Sequence, residues 1–63
     1  MWDWAIGLPL ADLLDAAMKN QRNLFVVREL VKGVTLRHKC KMQEGDIAVE
    51  VCSGKVTDIW VVK

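Results

Sequence analysis

The chain has little of what catalysis and metal binding draw on. It carries one histidine and two cysteines, with no Cys-x-x-Cys pair and no second imidazole. Zinc needs thiolate or imidazole ligands converging from about four positions. His38 and Cys40, two apart on a strand, would stand ~7 Å from each other, and Cys52 falls on the opposite face from Cys40. No metal and no cofactor are expected, and both cysteines read as core residues. Ser53 lies in a turn without the Gly-x-Ser-x-Gly setting of a hydrolase nucleophile. Gly7, Gly33, Gly45 and Gly54 are dispersed as single turn or cap residues, so no phosphate-cradling loop exists. Glu44 and Asp46 flank a glycine without the ligand series of a calcium loop. No enzyme activity is expected, and His38 on an apolar face reads as a satisfied histidine in place of a base.

Long apolar runs are also missing. Nothing approaches the ~20 residues of a membrane span, and residues 1–10 contain Asp3 but no base, unlike an export signal. Cysteines without such a signal suit a reducing cytoplasm, and no membrane partner is expected. With 63 residues there is room for one small domain, 1–63, whose burial gain barely exceeds its ordering entropy. Hydrophobic residues make up 52% of the chain, which fits shielding of apolar surface by a partner or a second copy.

The charge that is present is unevenly placed. Net charge is +1 and the isoelectric point about 7.8, below the value of roughly 9 typical of dedicated nucleic-acid domains. Asp3, Asp12 and Asp15 precede a basic middle of Lys19, Arg22, Arg28, Lys32, Arg37, Lys39 and Lys41, broken only by Glu29. Acids predominate again afterwards, so the molecule is expected to be dipolar.

The alternation over 34–51 is the strongest pattern. Val34, Leu36, His38, Cys40 and Met42 alternate with Thr35, Arg37, Lys39 and Lys41, the signature of a half-buried strand. Gly45 then suits a tight turn, and Ile47, Val49 and Val51 alternate once more. This predicts a hairpin with Met42 opposite Ile47, Cys40 opposite Val49, His38 opposite Val51, and Lys39 paired with Glu50 on the other face.

Upstream, Trp2, Trp4 and Ile6 suit an extended arm over 1–8, with both indoles on one side. Pro9 opens a helix over 9–20 whose apolar stripe is Leu10, Leu13, Leu14, Ala17 and Met18. Asp15 and Lys19 form a favourable i,i+4 pair. The β-rich run from Leu24 to Val27 favours a strand over 24–32. Leu24, Val27, Leu30 and Val31 also fit a helical stripe, with Asn23 as N-cap. A Ser53-Gly54 turn leads into a last strand, 55–62, expected to set Val51 against Val56, Val49 against Asp58 and Ile47 against Trp60. That register puts Asp58 on the apolar face unless a bulge shifts it, and it makes Trp60 a core residue. Ile59 and Val61 leave the strand apolar on both faces, a hint of a second contact surface.

The expected fold is α+β: an N-terminal helix packed on a three- or four-stranded antiparallel sheet of consecutive hairpins over 24–62. The expected function is a non-enzymatic binding module that regulates or inhibits a protein partner by occupying its surface, with a phage or accessory element as an expected source. Its contact residues would be the basic strand face Arg37, Lys39 and Lys41, with Trp2 and Trp4 as anchors, and homodimerisation is expected. The alternative is a nucleic-acid binder using the same stripe, whose ~6.6–7 Å spacing can track phosphates. The absence of an aromatic on that face argues against it.

Overall fold

The computed structural model describes residues 2–63; Met1, the first residue of the expected arm, lies outside them. A 3-10 turn, Asp3–Ala5, precedes helix α1, Leu10–Lys19. Four strands follow: β1 (Leu24–Val31), β2 (Val34–Arg37), β3 (Ile47–Cys52) and β4 (Lys55–Val61). They form one sheet in the order β2-β1-β3-β4.

The helix forms where the leucine spacing predicts it, and its two ends are closed differently. Pro9 is the N-cap, and with no capping side chain there, the Leu10 N–H donates to the Gly54 carbonyl at 2.8 Å. One orphan donor of the helix is thereby satisfied by the β3–β4 turn. At the other end Gln21 takes a positive φ of 56°. The Arg22 N–H reaches the Ala17 carbonyl and the Gln21 N–H the Met18 carbonyl, the paired bonds of a Schellman cap. The Asp15–Lys19 pair forms on the exposed face, at 3.3 Å.

The β1 segment is a strand, as its β-branched run favours. Lys32 and Gly33 both have positive φ, 50° and 78°, and so do Ser53 and Gly54, 50° and 81°. Both hairpins therefore close on two-residue turns whose twist matches that of the strands. The β3–β4 hairpin begins in the expected register, Val51 opposite Val56. Thr57 is then left unpaired, and Glu50 faces Asp58, Val49 faces Ile59 and Ile47 faces Val61. The Thr57 hydroxyl donates to the Glu50 carbonyl at 3.2 Å within this bulge. One extra residue reverses which side chains point inward. Ile59 is therefore buried, while Trp60, expected in the core, is 39% exposed on the other face.

The sheet is mixed, which corrects the expected antiparallel series of hairpins. β1 pairs with β2 and β3 pairs with β4 antiparallel, but β1 and β3 run parallel side by side. The predicted 34–51 hairpin does not form: β2 ends at Arg37, and 38–46 carries the chain around β1 to the start of β3. The reason lies in β3. Its Ile47, Ala48, Val49 and Val51 are all buried, and a strand apolar on both faces is stabilised most as a central strand. β2 bears no buried residue and takes the edge. His38, Cys40 and Met42 consequently do not face Val51, Val49 and Ile47. Glu50 bonds Arg28 of β1, Nη2 to Oε1 at 2.8 Å, in place of Lys39.

One buried cluster joins Leu13 and Ala17 of α1 with Ile47, Val49, Val51, Val56 and Ile59 of the sheet and Ala5 of the 3-10 turn. Leu14 and Met18 stay exposed, so the helix stripe is narrower than the sequence suggests.

Candidate functional site

The residues expected to act together occupy opposite edges of the sheet. Arg37 is the last residue of β2, the edge strand, and Lys39 and Lys41 follow in the connection 38–46. All three are exposed. Lys39 and Lys41 are not on a strand, so the evenly spaced stripe expected from the alternation does not form. Trp2 and Trp4 lie at the other edge. Trp2 lines a concavity of about 260 Å³ with Asp3, Ile59, Trp60, Val61 and Lys63, beside β4. The expected extended arm is a 3-10 turn instead, but it still brings the two indoles together, with centroids 5.6 Å apart and planes 31° apart. Trp2 packs against the core cluster, whereas Trp4 is 56% exposed.

Charge runs across the sheet in register. Arg37, Arg28, Glu50 and Asp58 are successive cross-strand partners from β2 to β4. The central pair is bonded, leaving a guanidinium at the β2 end and a carboxylate at the β4 end. Only Arg28 and Glu50 are neighbours of opposite charge; Arg37 beside Arg28 and Asp58 beside Glu50 are like-charge neighbours, so bases gather toward β2 and acids toward β4 in this row.

The β2 edge offers more than its bases. The His38 N–H donates to the Val27 carbonyl at 3.0 Å, so the backbone of His38 faces β1. Alternation then turns the N–H and C=O groups of Thr35 and Arg37 outward, away from the sheet. Val34 and Leu36 are 57% and 43% exposed on the face that carries the helix. Val34, Thr35 and Leu36 were not singled out as site residues from the sequence. Their signal was the Lys32-Gly33 turn, which makes β2 the partner of β1 and leaves its other side open.

The remaining candidates are isolated. The His38 Nε2 lies 3.8 Å from Glu29 Oε1, and His38 is exposed in place of facing an apolar strand. Cys40 and Cys52 are free and half-buried, and the Cys40 Sγ sits 3.8 Å from the Val26 carbonyl oxygen. Among the described residues no group of three or more His, Cys, Asp or Glu side chains converges. Among the described residues no helix is long and apolar enough to cross a membrane. No protein-family model, curated protein or solved structure matches the chain.

Proposed function

We propose that the protein is a non-enzymatic binding module that regulates or inhibits a protein partner, and that it does so by pairing the β2 edge with an extended acidic segment of that partner. The observation that carries this is the coincidence, on the β2 edge, of outward backbone groups at Thr35 and Arg37, exposed Val34 and Leu36, and the base Arg37, with the exposed Lys39 and Lys41 following in the connection. Strand addition takes its affinity from main-chain hydrogen bonds and its specificity from alternate side chains. Here those side chains would be apolar against Val34 and Leu36 and acidic against Arg37 and the loop lysines. The same bases could meet a phosphate backbone. The three tryptophans, however, are gathered at the β4 edge, where no base stacked on them could also reach Arg37.

That arrangement makes indole fluorescence a poor reporter of the β2 edge, so the test uses backbone amide resonances. The probes are a short peptide of alternating glutamate and valine and a mixed-sequence single-stranded oligonucleotide, each at low and physiological salt. The expected result is a saturable shift of the Thr35 and Arg37 amides with the peptide, lost in Arg37→Glu. Shifts with the oligonucleotide alone, weakening steeply with salt, would replace the protein partner with nucleic acid.

A further inference from the structure

The face of the sheet that carries α1 is only half covered. Four strands about 4.8 Å apart present a face roughly 19 Å wide, and a helix is about 10 Å across. The buried cluster under α1 draws on β3 and β4, with Leu24 and Val26 of β1 packed at its margin, and takes no residue from β2. The flank of α1 toward β4 is closed by the N-terminal turn. Ala5 of that turn belongs to the cluster, and Gly7 and Leu8 after it bond Val56. The other flank is open. α1 starts where the Leu10 N–H meets Gly54 at the β3–β4 turn and ends before Leu24 opens β1, so it runs opposite to β1 and β3. Leu13 and Ala17 face the sheet, and Ile47, facing them, donates its N–H to Asn23 on the β1 side, which fixes the hand of the arrangement. In a right-handed helix so placed, a rotation of about 100° per residue turns Leu14 and Met18 toward β2. Both are exposed there, as are Val34 and Leu36 of β2 on the same face, and the half-buried Val31 lies between them. Together they make an apolar groove, about one helix wide, between α1 and the β1–β2 hairpin.

We infer that this groove binds an amphipathic α-helix of a protein partner, apolar along one stripe and acidic on its flanks. This deepens the function proposed above and rests on it in one respect, that the partner is a protein. Charge selects the acidic flanks. The elements that frame the groove carry the basic middle of the sequence: Lys32 stands in the β1–β2 turn at one end, and Lys39 and Lys41 follow His38 at the other. All three are exposed, and none belongs to an ion pair among the described residues. The two acids nearby already have bases beside them, Asp15 with Lys19 at 3.3 Å and Glu29 with His38 at 3.8 Å. Shape selects a helix. Apolar side chains at three- and four-residue spacing would set successive turns between Leu14 and Met18 on the wall and Val34 and Leu36 on the floor. A second copy of the chain is a poorer occupant. Its own α1 has already buried Leu13 and Ala17, so its free flank brings only Leu14 and Met18.

The probe is a side-chain-bridged helical peptide with leucine at three- and four-residue spacing and glutamate on its flanks, titrated against the methyl resonances of Leu14, Met18, Val34 and Leu36. Saturable shifts of all four are expected. Leu14→Gln combined with Met18→Gln should weaken binding roughly tenfold or more, read at Val34 and Leu36, while amide dispersion shows that the fold is kept. The same peptide with lysine in place of glutamate should bind roughly tenfold more weakly, and Lys39→Glu combined with Lys41→Glu should reverse that preference. The extended glutamate–valine peptide separates this contact from the strand pairing. Its shifts of the Thr35 and Arg37 amides should survive Leu14→Gln with Met18→Gln. If the extended peptide binds and the helical one does not, the groove inference alone fails. If only the helical peptide binds, the strand pairing alone fails, and if neither binds both fall. Equal binding of the glutamate and lysine helices would also overturn the inference. So would methyl shifts that follow protein concentration without any peptide, which would give the groove to a second copy.

Discussion

The Arg22 guanidinium donates to the Gly45 carbonyl at 2.8 Å, and the same Nη1 lies 3.1 Å from where a Cβ on that glycine would stand. The bond ties the end of α1 to the last turn of the 38–46 connection. The Gly45 N–H in turn donates to Val62 just beyond β4, so one residue holds helix, crossing loop and edge strand together.

Gly45→Ala is therefore expected to destabilise the fold, mainly because Gly45 has a φ of 93°, which an L side chain adopts only under strain. The crowding of a mobile guanidinium adds less. The loss should be about 1–2 kcal/mol in urea denaturation. Arg22→Ala should cost about 1 kcal/mol. The double variant should lose less than the sum, because the two share one contact.

Gln21 holds the left-handed position of the helix cap, φ 56°, where glycine is the usual occupant. Gln21→Gly should raise the denaturation midpoint, by about 0.5–1 kcal/mol in stability, without changing the denaturant slope. An unchanged or lowered midpoint would show that the Gln21 side chain contributes contacts that outweigh its backbone strain.

Within the leucine-rich helix, position decides the cost of truncation. Leu13 is fully buried against the sheet, so Leu13→Ala should cost about 2–5 kcal/mol. In a domain this small that loss unfolds much of the population, read as lost amide dispersion. Met18 is 69% exposed, and Met18→Ala should stay within about 0.5 kcal/mol of the parent.

The Arg28–Glu50 pair is half-exposed, with side-chain accessibilities of 46% and 24%. A double-mutant cycle to alanine should give a coupling of roughly 0.5 kcal/mol, reduced by salt. The corresponding cycle for Lys39 and Glu50, which the sequence pattern pairs and the structure separates, should give none.

The sequence by itself determined the local elements. Leucine spacing and Pro9 set the helix and Ser53-Gly54 set the last turn, while the β-rich run at Leu24–Val27 favoured a strand but left a helical reading open. It also located the trouble at Asp58, because an acid cannot remain on an apolar face and a bulge resolves it. Each of these is decided by neighbours within a few residues. The order of the strands was not. The alternation from Val34 to Met42 is a true period-two pattern, yet it extends through a segment that leaves the sheet after Arg37. Alternation reports what a segment could present to two faces, not whether a partner strand is beside it. β3, buried on both faces, takes a central place and has β1 and β4 as its neighbours, so 38–46 must pass around β1. That competition for the centre of the sheet left Trp2 and Trp4 beside β4 and Arg37 on β2, the opposite edge. It is a property of all four strands at once, and only the tertiary structure holds it.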